Sequence, residues 1–192
     1  METPKLQTAQ AVYSLKNFTV LLVDDYEFMQ DLCASMLRAF GIGGIMVCNS
    51  GAEAIELLTI TQSQARNNSV KGIDLILTDW MMPDGSGVEL IDWVRNHQSD
   101  QIRFTPIMLL SAFTSEDIVG IARDHGASEA LVKPISAEKM AARILAMIDN
   151  PRPFVKTATF FGPDRRRKIV PWRQEERRLM NTEQVVQHNE RL

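Results

Sequence analysis

Three short, almost continuous apolar runs punctuate the first two thirds of the chain: Phe18 to Val23 (FTVLLV), Ile73 to Leu77, and Pro106 to Leu110. Such runs suit strands buried on both faces. Gly44 to Cys48 and Ala130 to Val132 are weaker strand candidates. Between them, apolar residues recur at helical spacing: Met29, Leu32, Met36 and Phe40; Ala54, Leu57 and Leu58; Leu90, Ile91 and Val94; Ile118, Ile121 and Ala122; then Met140, Ile144, Leu145 and Ile148. Five strands alternating with five helices predict a doubly wound parallel sheet with right-handed crossovers. In such a sheet ligands gather at the carboxyl ends of the strands.

Local signals agree with these boundaries. Ser50 stands three residues before Glu53, a capping-box spacing, and Thr114 or Ser136 can cap later helices. Gly41 and Gly126 fall where helices should stop. Met82-Pro83-Asp84-Gly85 has the residue order of a type I turn. The polar stretch Thr61 to Lys71 (TQSQARNNSVK) reads as a solvated loop.

Composition adds a boundary. The 192 residues are 45% hydrophobic and 23% charged, enough for one sizeable core. The net charge of -3 is uneven: residues 1–150 hold 11 basic against 19 acidic residues, and 151–192 hold 10 against 5. An acidic domain with a basic tail follows, cut near Pro151 and Pro153. No apolar run is long enough for a membrane span and the first residues lack an export signal, so the expectation is a cytoplasmic protein. Cys33 and Cys48 have no partner at metal-ligand spacing and read as buried thiols.

The chemistry lies at the predicted strand ends. The first strand closes on Asp24-Asp25 and the third on Asp79, so three carboxylates should meet at one edge. Like charges that close disfavour joint ionisation, a conflict that a hard divalent cation removes. The fourth strand ends at Ser111, and Lys133-Pro134 follows the fifth. Three carboxylates, Mg²⁺ and one ammonium sum to zero charge, a balance suited to phosphoryl transfer onto a carboxylate.

Together VLLVDD, LILTDWMMPDGSG, IMLLSA and ALVKP resemble the signature positions of the response-regulator receiver domain over residues 17–150. The resemblance implies a flavodoxin-like (βα)5 fold with strand order 2-1-3-4-5. It implies a phosphorylation-controlled switch, not an enzyme, that takes its phosphoryl group from a sensor histidine kinase or phosphotransfer protein. Asp79 then matches the phosphoacceptor, and Asp24, Asp25, Asp79 and the backbone carbonyl of Met81 the Mg²⁺ ligands. Lys133, followed by a cis Pro134, matches the phosphate-contacting lysine, and Ser111 the switch hydroxyl. The family's aromatic three residues before the lysine is Ala130 here. The positions flanking the attacking water are Met81 and Phe113, neither of which orients a water, so the phosphorylated state should be long-lived.

Two alternatives accompany this reading. A Mg²⁺-dependent aspartyl phosphohydrolase commonly wants an acid two residues after the nucleophile, where this chain has Met81. A nucleic-acid-binding regulator would act through residues 151–192, but 42 residues interrupted by Pro163 and Pro171 are too few for a three-helix reader. Trp172, Leu179 and Val186 recur every seven residues as a weak helical stripe. The tail is expected to be a partly flexible arm or the dock for a downstream protein, contributing little folding energy.

Overall fold

The computed structural model of the chain describes residues 14–65, 72–112, 116–165 and 185–186. After a short 3₁₀ turn at Leu15–Asn17 come β1 (Thr19–Val23), α1 (Glu27–Ala39), β2 (Gly44–Cys48), α2 (Gly51–Ala65), β3 (Leu75–Asp79) and α3 (Gly87–Arg95). A one-turn α4 (Asp100–Arg103) precedes β4 (Ile107–Ser111), α5 (Glu116–Asp124), β5 (Glu129–Val132) and α6 (Ala137–Asp149). The five strands form a parallel sheet in the order β2-β1-β3-β4-β5.

The continuous apolar runs form central strands because both faces of the sheet are covered. Along β1, Leu21 and Val23 pack with Leu58, Leu90 and Ile91 of α2 and α3, while Val20 and Leu22 pack with Leu37 and Ile144 of α1 and α6. This is the period of two expected of a strand, read here as two apolar layers.

Several boundaries carry visible causes. Ser136 caps α6 by accepting a hydrogen bond from Lys139 N, and Gly41 and Gly126 take positive φ after α1 and α5. The Ser50 hydroxyl accepts from Glu53 N, but the Glu53 carboxylate accepts from Asn49 N instead of closing the box on Ser50. The full capping box is Ser86 with Glu89, at the start of α3.

Two expectations need correction. Thr61 to Ala65 is helix, not loop: α2 runs on because buried Thr61 continues the Ala54, Leu58 face and its hydroxyl donates to Leu57 O. The rest of the stretch expected as a loop, residues 66–71, lies outside the described residues. The Pro83-Asp84-Gly85 bend closes no turn hydrogen bond of its own; the Asp84 and Gly85 carbonyls accept from Ala52 N and Gly51 N of α2.

Residues 151–165 fold back onto the domain. β6 (Phe154–Lys156) pairs antiparallel with β7 (Phe161–Pro163) on one side and with β8 (Val185–Val186) on the other. Val186 is therefore in a strand and not on a helical stripe, while Trp172 and Leu179 lie outside the described residues. Phe154 and Phe161 both pack edge-on against Phe104, at ring distances of 4.8 and 5.1 Å. The Arg103 guanidinium covers Phe161 at 4.4 Å, Arg152 pairs with Glu129, and Arg165 pairs with Asp124.

Beneath this hairpin lies Arg95, 4% exposed. Its guanidinium donates to the carbonyls of Gly126, Arg103 and Thr105 and lies 5.1 Å from the Phe154 ring centre. Burial pushes its pKa down to about 9, so it remains charged at neutral pH.

Candidate functional site

The β-strands deliver the expected residues to one edge. In the parallel register Asp79 stands beside Leu110 and Ser111 beside Val132, and Lys133 N donates to Ser111 O at 2.7 Å. One oxygen each from Asp24, Asp25 and Asp79 lies within 4.8 Å of the others. The Lys133 ammonium sits 3.0 Å from Asp24 Oδ2 and 3.0 Å from Asp79 Oδ1. The Lys133-Pro134 peptide bond is cis.

The three carboxylates differ in environment. Asp24 is buried, its Oδ1 accepting from Tyr26 N and its Oδ2 from Lys133. Asp25 is exposed and Asp79 half-buried. Burial is the main force raising the Asp79 pKa above the ordinary carboxylate value; the hydrogen bond and charge of Lys133 oppose it, and Asp24 adds to it. Burial works against the charge on Lys133, but its bonds to Asp79 and Asp24 outweigh it and raise the pKa. The Cys33 thiol is pushed up to about 11 by burial and then by the charge of Asp24, and the Cys48 thiol to about 12 by burial and Glu53. Both stay protonated, the buried free thiols expected.

Around this edge, Ser111 is buried, Ala130 is partly buried against the α5 side of the core, and Met81 leaves β3 with 60% of its surface exposed. Phe113 lies outside the described residues. Trp80 and Trp93 pack against the core, as packing residues should, and His125 pairs with Asp92 at the far end of α3.

One site residue escaped the sequence reading. Gly87 opens α3 so close to Asp79 that a Cβ there would fall 2.0 Å from the Asp79 carbonyl oxygen. Gly87 N donates to Trp80 O in the same crossing. The visible signal was the Ser-Gly pair directly before an apolar helical pattern.

Clustered hard-oxygen donors beside a lysine thus lie at the carboxyl edge of a five-stranded doubly wound sheet, the edge where this class of α/β fold gathers its ligands. Residues 20–145 match the model of the response regulator receiver domain, and the chain belongs to that family. Chemotaxis protein CheY-3 of Vibrio cholerae is 25% identical over 130 residues, 67% of this chain and 90% of its own length. Transcriptional regulatory protein CpxR of Escherichia coli is 30% identical over 129 residues, 67% of this chain but 48% of CpxR. The crystallised chemotaxis protein CheY4 of Vibrio cholerae superposes with a TM-score of 0.56 at 28% identity, covering 67% of this chain and 96% of that one. Receiver domains are phosphoacceptor signalling modules of two-component systems. Among the described residues no helix is long and apolar enough to cross a membrane.

Proposed function

We propose that this chain is a phosphorylation-controlled switch in which Asp79 accepts a phosphoryl group from a sensor histidine kinase or phosphotransfer protein and thereby regulates a protein partner. The observation that carries the reading is Lys133, 3.0 Å from both Asp24 and Asp79, with Asp25 alongside. An oxygen of Asp79 attacks phosphorus, the phosphorus-nitrogen bond to the donor imidazole breaks, and the imidazole keeps the electron pair and takes a proton. Lys133 then pairs with phosphoryl oxygens in place of the carboxylate it holds at rest.

Asp24, Asp25, Asp79 and the Met81 carbonyl would hold Mg²⁺, and the close approach of three carboxylate oxygens fits such an ion. When bound, the ion supplies positive charge against both the carboxylates and the incoming group. Ser111, at the end of the neighbouring strand, would bond a phosphoryl oxygen. With Met81 exposed and apolar, no acid stands where an aspartyl phosphohydrolase places its second one.

Intact-mass measurement with acetyl phosphate tests the reading. One phosphoryl adduct is expected in Mg²⁺, with none after chelation and none on Asp79→Asn. Undiminished labelling of Asp79→Asn would remove the assignment.

A further inference from the structure

The edge of the sheet opposite Asp79 holds a cavity of about 350 Å³. Doubly wound sheets bind ligands at the carboxyl ends of their strands, so a cavity at the amino ends has a separate origin. Here the extension supplies it: Phe154, Pro151 and Pro163 form one wall, facing Pro106 at the start of β4, Ile73 before β3 and Met147 of α6. The volume and apolar walls fall in the range of small-molecule sites.

The charges on the wall select the ligand. Asp100 is paired with Arg103, and Glu129 is held between Arg143 and Arg152. Asp74 differs, because its Oδ2 accepts from the backbone amide of Thr19 and among the described residues no cation stands against it. A half-buried carboxylate beside an apolar cavity is matched by a cation carrying an apolar body.

We propose that this cavity binds a small amphipathic amine, its apolar ring between Phe154, Pro106 and Met147 and its ammonium on Asp74. The site is independent of the phosphoacceptor reading, since it shares no residue with that edge.

The test is titration of the full chain with tryptamine, followed by amide NMR, with indole-3-propionate as the same ring bearing the opposite charge. Tryptamine should give saturable shifts at Asp74, Ser128 and Phe154, and Asp74→Asn should weaken it about tenfold or more. Ala146→Phe places a ring in the cavity from an exposed helical position. It should abolish the shifts while the remaining spectrum stays folded. The proposal fails if tryptamine gives no shifts, if the propionate binds equally, or if binding survives Ala146→Phe. It also fails if binding appears only in Trp172→Ser, which would make the chain's own indole the occupant.

Discussion

Gly126 and Gly162 meet backbone against backbone: a Cβ on Gly162 would stand 2.9 Å from the Cα of Gly126, and one on Gly126 would stand 3.2 Å from Phe161 O. Gly126 also needs its positive φ of +101° to end α5. The hairpin is thus seated on the corner between α5 and β5 at a distance no side chain permits.

Gly162→Ala should therefore destabilise the protein by about 1–3 kcal/mol, the range for forcing a methyl group into a packed contact. Denaturant titration measures it. A variant as stable as the parent would mean that the hairpin shifts freely on this corner.

Truncation gives a coarser version of the same test. A chain ending at Asn150 loses Phe154 and Phe161 from Phe104 and uncovers Arg95, and large aromatic losses from a core cost about 3–5 kcal/mol. At about 2–4 °C per kcal/mol for a chain of this size, the melting temperature should fall by roughly 10 °C. A chain ending at Arg165 keeps the β6-β7 hairpin while losing β8, and should melt above the chain ending at Asn150. Equal melting of the two truncations would return residues 151–165 to the role of an unanchored tail.

The hairpin is also where the sequence was least legible. Phe154 and Phe161 lie among basic residues and prolines, in strands of three residues whose partners, Phe104 and Arg95, are 50 or more positions away. No local period reports such a contact. The central strands were legible because apolar residues on both faces leave a continuous run, and the clustering of Asp24, Asp25, Asp79 and Lys133 was legible because these residues stand at the ends of β1, β3 and β5. α2 overran its expected end because Thr61 to Ala65 carries mostly polar residues, with helical placement decided by the burial of Thr61. Gly87 was visible only as a glycine; its need to approach Asp79 arises from the crossing of α3 over β3.

The raised pKa of Asp79 has a definite sign for stability. The folded state binds this proton more tightly than the unfolded chain, so stability falls as pH rises from the ordinary carboxylate pKa through the folded one. Without metal, Asp79→Asn should melt above the parent at pH 7, and the advantage should vanish on acidification below that window. Thermal melts in chelator across pH 3–8 check this. A variant less stable than the parent at neutral pH would show that the Lys133 pair outweighs burial.

The lifetime of the phosphorylated state is set, on the proposed function, by access of water to phosphorus past Met81, whose exposed thioether can neither accept nor donate a strong hydrogen bond. Groups that position or activate a water contribute about 10²-fold or more. Met81→Asn should accelerate decay of phospho-Asp79 after donor removal, followed by intact mass. Unchanged decay would place control elsewhere in the loop.

Arg95 gathers partners at increasing distances along the chain. Its carbonyl acceptors lie 8, 10 and 31 residues away, and the Phe154 ring that covers it comes later still. Closing each longer loop costs more entropy, so the turn around α4 can form first, the α5 corner next, and the hairpin after the sheet exists to receive it. During synthesis, a chain that has emerged only through α6 carries a charged guanidinium at an uncovered corner, and the hairpin that follows α6 is what seals it.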